Sequence, residues 1–356
     1  MSKLRLKKLE EQVIVLTGAS SGIGLVTART AARRGARLVL AARDEEALRN
    51  LADEINSAGG EAIYVRADVG NFEDVRRVGE EALRRFGGFD TWVNNAGVSI
   101  YGRIMDVPLE DHRRLFDTNY WGVVHGTQVA VEHLRQRGGA LIQIGSVLSD
   151  RAIPLQGTYC ATKHAVKGYT DALRMELEAE NAPVSVTLIK PSAIDTPYKE
   201  HARNLLPAEP QNPPPVYAPE TVAEAILHCA AHPERDVYVG GGGKFLSLAG
   251  EYAPRVMDKV MEAAFIPMQQ KDEPPRADRP DSLHAPSGDD GRERGGYEGH
   301  VAESSVYTKA SLHPLLTGAA IFGAGLLLAG FLPLNGRRRP PDDKNKDGRD
   351  ATSLQE

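Results

Sequence analysis

Tyr159 and Lys163 lie four residues apart in a Tyr-x-x-x-Lys pattern, and Ser146 precedes the tyrosine by 13 residues. On a helix, side chains four residues apart share one face. A free tyrosine, with a pKa of about 10, exchanges protons poorly at neutral pH, but a lysine ammonium one turn away favours the phenolate and lowers that pKa. We therefore expect Tyr159 to give a proton to a carbonyl oxygen or take one from an alcohol, with Ser146 positioning that oxygen.

A glycine-rich segment with a TGxxxGxG pattern begins at Thr17, directly after an apolar run at residues 13–16. Glycines at such a turn let the backbone approach a pyrophosphate, and the N–H groups of the following helix N-terminus bind the anion. An ordinary βα loop is the alternative, but the strand–turn–helix context favours a dinucleotide site. The predicted cofactor-binding residues of this turn are Gly18, Ser20, Ser21, Gly22, Ile23 and Gly24.

Arg43 lies about 20 residues past this turn, where a dinucleotide fold contacts the adenosine ribose. A guanidinium pairs well with a 2′-phosphate, so Arg43 favours NADP(H), although NAD(H) remains possible. The following residue, Asp44, complicates this interpretation. The alternative is that both residues simply begin the next helix, with Asp44 as its N-cap.

Apolar runs that predict strands alternate with helical patterns from residue 13 to residue 239. About seven strands alternating with helices predict an α/β fold, with a doubly wound parallel sheet in one domain of residues 1–266. The predicted strands are 13–16, 38–40, 62–66, 91–93, 140–144, 184–189 and 237–239. The predicted helices are 23–34, 44–58, 72–86, 109–137, 161–180 and 219–231.

The composition excludes several classes of protein. The 356 residues are 41% hydrophobic and 26% charged, which excludes global disorder and a polytopic membrane protein. A net charge of −5 argues against nucleic-acid binding. Two cysteines exclude a disulfide scaffold, and scattered histidines predict that no metal is bound.

Together, the TGxxxGxG turn, an Asn-Asn-Ala-Gly segment beginning at Asn94, Ser146 and the Tyr159/Lys163 pair resemble the short-chain dehydrogenase/reductase family. The resemblance covers about residues 13–243. It implies one Rossmann-like domain, a nicotinamide cofactor and a homo-oligomer. It also implies that Ser146 orients the substrate, that Tyr159 is the acid/base, and that Lys163 holds the nicotinamide ribose and tunes the tyrosine.

The resemblance implies further roles at matching positions. Asn119 matches an asparagine that completes a proton relay through a water molecule. The positions implied to contact the cofactor are Asp68 and Val69 at the adenine, Asn95, Ala96 and Gly97 on the adenosine side, and Pro191, Ile194 and Thr196 at the nicotinamide carboxamide. Ser192 stands where the family usually has glycine, which puts the local backbone angles in question.

The C-terminal third changes character. Residues 267–310 are rich in Pro, Gly and charge and predict a disordered linker. Residues 311–336 contain an uncharged run, Leu315–Leu334, that is long enough to span a bilayer and predicts a membrane-anchoring helix. A polar tail, 337–356, follows. The arginines at 337–339 favour a cytoplasmic tail, but the cofactor requirement and the absence of a secretory signal favour a cytoplasmic catalytic domain.

The sequence thus predicts a membrane-anchored oxidoreductase that transfers a hydride between NADP(H) and a carbonyl or secondary alcohol, with a lipophilic small-molecule substrate. Residues 197–217 are interpreted as a substrate-covering lid. The alternative function is a membrane-tethered dinucleotide-binding scaffold or sensor without turnover. An epimerase or dehydratase on the same fold is a second rival, which the Asn-Asn-Ala-Gly segment disfavours.

Overall fold

The computed structural model describes residues 4–276, 279–288, 290–313 and 317. The chain divides into two units, Met1–Leu312 and His313–Glu356. The first unit contains all of the residues predicted to do chemistry.

Apolar, β-branched runs form the strands of the first unit. In the described residues the strands are β1 (Val13–Thr17), β2 (Arg37–Ala42), β3 (Ala62–Arg66), β4 (Thr91–Asn94), β5 (Ile100–Tyr101), β6 (Gly139–Ile144), β7 (Val184–Pro191), β8 (Ala193–Ile194), β9 (Arg203–Asn204), β10 (Val216–Tyr217), β11 (Asp236–Val239) and β12 (Val301–Ala302).

Along the chain, helices lie between most of the longer strands. They are α1 (Gly22–Arg33), α2 (Glu45–Ser57), α3 (Phe72–Phe86), α4 (Leu109–Phe116), α5 (Gly122–Arg137), α6 (Gly157–Ala179), α7 (Tyr198–His201), α8 (Pro219–Ala231), α9 (Gly241–Tyr252), α10 (Pro254–Val260), α11 (Ile266–Met268) and α12 (Val306–Leu312).

A seven-stranded sheet with the order β11-β7-β6-β4-β1-β2-β3 forms the centre of the fold, and all its neighbouring strands are parallel. The chain winds outward from β1 to β3 and then crosses back to β4. Ligands of such sheets bind where the winding reverses, at the carboxyl ends of the strands. The predicted doubly wound, Rossmann-like sheet is confirmed, and its reversal point lies between β1 and β4.

Both faces of the sheet are covered. Along β1, Ile14 and Leu16 join a buried cluster with α1, α2 and α8, whereas Val13 and Val15 join a cluster with α3, α5 and α6. Every β1 side chain is buried, and the first four residues of the strand form a continuous apolar run in the sequence. This explains why the strand positions were predictable from sequence.

The predicted helix 109–137 is divided in the structure. A π-helical turn, Asp117–Trp121, lies between α4 and α5. Such turns insert a residue into a helix and are frequent at functional sites. Here the turn contains Asn119, whose side chain is fully buried.

Residues 267–310, predicted to be a disordered linker, are packed in their described part. Val301 pairs with Val216, Leu283 is fully buried, and Thr308 bonds to the backbone at Gly240 and Tyr238. The prediction averaged a low apolar content over the whole segment. A few buried side chains and several ion pairs attach this segment to the catalytic domain. The average apolar content of the segment does not reveal such isolated contacts.

The predicted membrane-anchoring helix, 311–336, lies almost wholly outside the described residues, and so does the polar tail. Within the described part of the chain, no helix is long and apolar enough to span a membrane.

Truncation of a central sheet residue should destabilise the fold. Leu141 in β6 is fully buried, whereas Leu109 at the start of α4 is 73% exposed. We expect Leu141→Ala to lower the free energy of unfolding by about 2–5 kcal/mol, because it leaves a cavity. The matched control, Leu109→Ala, should change it by less than about 0.5 kcal/mol. Urea denaturation followed by circular dichroism measures both, and equal effects would contradict the packing described.

Candidate active site

The glycine-rich turn after β1 is built around one very close backbone approach. A Cβ on Gly24 would lie 1.9 Å from the carbonyl oxygen of Gly18, and Gly18 itself has a φ of +66°. The side-chain amide of Asn95, at the end of β4, donates to the carbonyl oxygens of Thr17 and Gly18, both at 3.0 Å. The turn is therefore held by the strand on the other side of the reversal point.

One crevice at this reversal point brings together residues that the sequence predicts to bind a cofactor. Its walls include the predicted residues Gly18, Ser20, Ser21, Gly22, Ile23, Gly24, Arg43, Asp68, Val69, Asn95, Ala96, Gly97 and Thr196. Pro191 and Ile194 line an adjoining cavity with Tyr159 and Lys163. Ile23, Asn95, Gly97 and Thr196 line both spaces, so the two lie side by side.

Two arginines, Arg43 and Arg114, lie near the end of the crevice that is predicted to hold adenosine. Burial lowers the pKa of Arg43, which follows β2. Asp44 caps α2 by accepting a hydrogen bond from the Ala47 N–H at 3.0 Å, as in the alternative interpretation of that residue. Burial alone would raise the pKa of Asp68, but hydrogen bonds from Arg114, at 2.6 Å, and from the Gly70 N–H hold it below its usual range.

Helix α6 places Tyr159 and Lys163 on one face, as their spacing predicts. The Lys163 ammonium lies 5.6 Å from the centre of the Tyr159 ring and donates a 2.8 Å hydrogen bond to the Ile144 carbonyl oxygen. Ser146 lies just beyond the same strand, and its hydroxyl interacts with that of Tyr159. The end of β6 therefore holds all three side chains.

Asn119 approaches the same point from the π-helical turn. Its side chain exchanges two 2.9 Å hydrogen bonds with the backbone of Val98. A Cβ on Gly97 would lie 3.4 Å from Asn119 Oδ1 and 3.8 Å from Lys163 Nζ. The asparagine and the lysine thus both approach Gly97, and the proton relay stays a prediction.

The pKa of Tyr159 differs from the prediction. Burial raises it to about 12, against the opposing effect of hydrogen bonds with Tyr198 and Ser146. Burial also lowers the pKa of Lys163 to about 8. The sequence-based expectation considered only the attraction of an ammonium, whereas loss of water from both side chains dominates in this structure.

Tyr198 is a site residue that sequence reasoning missed. Its ring lies 5.6 Å from that of Tyr159 in an edge-on arrangement. Its buried hydroxyl is near those of Tyr159 and Ser99 without ideal hydrogen-bond geometry. The only available signal was its position at the start of the predicted lid, two residues after the predicted contact Thr196.

The adjoining cavity has a volume of about 510 Å³ and mostly apolar walls. Its apolar side chains include Leu148, Phe245, Leu246, Phe265 and Met268. The predicted lid, 197–217, supplies Tyr198, Asn212 and a run of prolines at 213–215. Ser192, at the family's usual glycine position, is not among the described residues with a positive φ, so a serine fits there without strain.

Comparisons with known proteins agree with this arrangement. A family model for the short chain dehydrogenase matches residues 12–205. The uncharacterized oxidoreductase YxnA of Bacillus subtilis (strain 168) is 50% identical over 325 residues, which cover 90% of this chain and 91% of that protein. The 11-beta-hydroxysteroid dehydrogenase A of Sesamum indicum is 37% identical over 52% of this chain, and the match spans only 53% of that protein.

Solved structures resemble the catalytic part of the chain. A short chain dehydrogenase/reductase of Burkholderia phymatum in complex with NAD matches with a TM-score of 0.60 and 27% identity, over 74% of this chain and 98% of that one. An alcohol dehydrogenase of the archaeon Thermococcus sibiricus complexed with 5-hydroxy-NADP matches with a TM-score of 0.57 and 28% identity, over 64% and 95%.

The buried ammonium should make stability depend on pH. Because the pKa of Lys163 falls from 10.5 to about 8 on folding, the unfolded chain binds more protons between those values, and the lysine's contribution to stability rises with pH across that window. Lys163→Met removes this contribution. We compare the free energy of unfolding of Lys163→Met with that of the natural chain. The value for the variant minus the value for the natural chain should fall by about 3 kcal/mol from pH 8 to pH 10.5.

Denaturant titrations at several pH values measure this difference, in which the titration of Tyr159 largely cancels. Lys167→Met, one turn further along α6 at a 39% exposed side chain, is the control and should show a much smaller pH dependence. A difference for Lys163→Met that stays constant with pH would contradict the assigned burial of the charge.

Proposed function

Because the chain belongs to the short-chain dehydrogenase family, we propose that this oxidoreductase transfers a hydride between NADP(H) and a carbonyl or secondary alcohol, with Tyr159 as the acid/base. The convergence of Ser146, Tyr159 and Lys163 carries this proposal. These residues line the apolar cavity, which lies beside the crevice at the glycine-rich turn. A substrate in the cavity can therefore reach both the tyrosine hydroxyl and the end of the crevice.

Each side chain has a distinct role in this mechanism. In reduction, Tyr159 gives its proton to the carbonyl oxygen while Ser146 donates a hydrogen bond to the same oxygen. A pKa of about 12 keeps the tyrosine protonated at neutral pH, which suits a donor. The bound nicotinamide supplies or accepts the hydride. Lys163 would then give a proton to the tyrosinate and regain its own from water, and Asn119 would position the water of this relay.

The preference for NADP(H) rests on Arg43. The solved relatives were obtained with NAD in one case and 5-hydroxy-NADP in the other, so they support a nicotinamide dinucleotide without distinguishing the two. Arg43 lines the crevice beyond β2, and Asp44 is occupied as a helix cap. The Arg43 guanidinium is therefore the group that we expect to pair with a 2′-phosphate.

A lipophilic small molecule is the proposed substrate. The cavity volume of about 510 Å³ falls within the usual range for small-molecule sites, about 300–1,000 Å³, and its walls are mainly apolar. The relative from Sesamum indicum is named for a hydroxysteroid. An apolar wall stabilises such a substrate by removing its surface from water.

Location and assembly are further proposals. The uncharged run Leu315–Leu334 supports attachment to a membrane. The need for an intracellular nicotinamide cofactor supports a catalytic domain facing the cytoplasm. The family resemblance supports a homo-oligomer.

Removing the tyrosine hydroxyl tests the mechanism. We expect Tyr159→Phe to lower kcat for carbonyl reduction by about 10²–10⁴, since the proton donor is lost, while dinucleotide binding persists. Lys163→Ala should also abolish turnover. NADPH oxidation with a panel of steroid, retinoid and small carbonyl compounds measures the rates. Tyr169→Phe, on the same helix, is the matched control and should remain active. Full activity in Tyr159→Phe would refute the acid/base role.

The cofactor assignment has its own test. Arg43→Ala should reduce the ratio of NADPH to NADH affinity by roughly tenfold or more, because a charge-assisted contact with the 2′-phosphate is lost. Fluorescence titration with both dinucleotides gives this ratio within one variant, so effects common to the two cancel. Arg49→Ala, at an exposed arginine of α2, should leave the ratio unchanged. If Arg43→Ala leaves the ratio of NADPH to NADH affinity unchanged, Arg43 does not determine the cofactor preference.

A further inference from the structure

A charged C-terminal segment crosses the crevice that we assign to the dinucleotide. We call residues 279–288 and 290–297 the strap. Ser282, Pro286 and Asp290 of the strap line this crevice together with the glycine-rich turn. The strap thus lies on the groups proposed to bind the cofactor, not beside them.

At the pyrophosphate end, the strap occupies the donors of the turn. The Ser20 hydroxyl donates to an Asp290 carboxylate oxygen at 2.7 Å, and the Gly22 N–H donates to the Arg292 carbonyl oxygen at 2.8 Å. The Gly291 N–H in turn donates to the Ser20 carbonyl oxygen at 2.8 Å. A carboxylate and a carbonyl oxygen therefore stand where a phosphate would accept the same hydrogen bonds.

At the adenosine end, the strap occupies the arginines. Arg43 donates to the carbonyl oxygens of Ser282 and Leu283, and Arg114 donates to the Leu283 carbonyl oxygen at 2.9 Å. The guanidinium proposed to pair with a 2′-phosphate thus has backbone partners from the strap. Both ends of the dinucleotide site are engaged at once.

The strap also reduces the space in the crevice. With the strap in place the cavity there measures about 170 Å³, against about 510 Å³ for the adjoining substrate cavity. Small-molecule sites usually measure about 300–1,000 Å³. A dinucleotide is larger than most ligands of such sites, so the strap has to move before one can bind.

Ion pairs add to the hydrogen bonds that attach the strap. Arg279 pairs with Glu209, Arg292 pairs with Glu200, and Glu293 pairs with Arg29. Its main apolar anchor is Leu283, which is fully buried in a cluster that includes Tyr159. The Arg292–Glu200 and Arg29–Glu293 pairs are partly exposed and contribute little in water, whereas the Arg279–Glu209 pair is buried. Because these ion-pair partners lie outside the seven-stranded sheet, release of the strap is compatible with an intact catalytic domain.

We propose that the strap is an autoinhibitory segment that competes with the dinucleotide for the phosphate-binding groups and leaves the crevice when the cofactor binds. This inference rests on the proposed function, because it takes the crevice to be the dinucleotide site. The Asp290 carboxylate accepts the Ser20 hydrogen bond that a phosphate would otherwise accept, and its negative charge also repels the pyrophosphate.

Weakening the strap in the full chain should raise cofactor affinity. Asp290→Asn keeps the size of the side chain but removes its charge, and we expect a Kd for NADPH roughly tenfold lower than in the natural chain. Leu283→Ala, which removes the apolar anchor, should act in the same direction. The control is Glu298→Gln, which lies just beyond the strap and pairs with Lys271; it should leave the Kd unchanged. Fluorescence titration with NADPH gives these values without turnover.

Hydrogen exchange provides a second measurement. Adding NADPH to the natural chain should increase amide exchange in peptides from the strap, including Gly291, whose N–H is bonded to Ser20. Protection of the strap on binding would overturn the proposal, since the strap would then be a clamp over the cofactor. Unchanged or weaker NADPH affinity in Asp290→Asn and Leu283→Ala would also overturn it.

These outcomes separate the two proposals. If the natural chain binds NADPH and the strap variants bind it equally well, the strap proposal fails and the proposed function stands. If no variant binds a nicotinamide dinucleotide, both fail. If the strap variants bind NADPH more tightly but Tyr159→Phe retains full activity, the strap proposal stands and the proposed catalytic mechanism fails.

Discussion

The close approach between Gly24 and the Gly18 carbonyl oxygen is the constraint on which the rest of the site depends. A Cβ at residue 24 would lie 1.9 Å from that oxygen, so the first turn of helix α1 requires glycine at this position. The side-chain amide of Asn95 donates to the carbonyl oxygens of Thr17 and Gly18 in the same turn. Strands β1 and β4 are thereby joined at the point where the winding of the sheet reverses.

Burial controls the protonation of the side chains that we propose to be catalytic. Tyr159 and Lys163 are both removed from water, which raises the pKa of the hydroxyl to about 12 and lowers that of the ammonium to about 8. The shifts oppose charge on either group, so the tyrosine keeps its proton and the lysine loses its own more readily. The spacing of the two residues predicted their proximity, but the direction of the tyrosine shift depends on how completely the helix and the lid enclose them.

The strap shows why averaged composition can mislead. Its charges and glycines are typical of a disordered linker, which is what the composition of residues 267–310 predicts. In the structure, Leu283 enters a buried cluster, and the partners of Arg279, Arg292 and Glu293 come from remote parts of the chain. Nothing near these residues in sequence identifies such partners, so a local pattern could not have predicted the contact.

The sequence by itself determined the sheet, its helices and the positions of Ser146, Tyr159 and Lys163. Strand and helix periodicity, turn glycines and one-turn spacing act over short distances along the chain, and each leaves a local pattern. Only the tertiary structure decided the placement of Tyr198 beside Tyr159, the direction of the tyrosine pKa shift and the course of the strap across the crevice. Burial and ion pairing depend on residues far apart in sequence, and the fold alone brings those together.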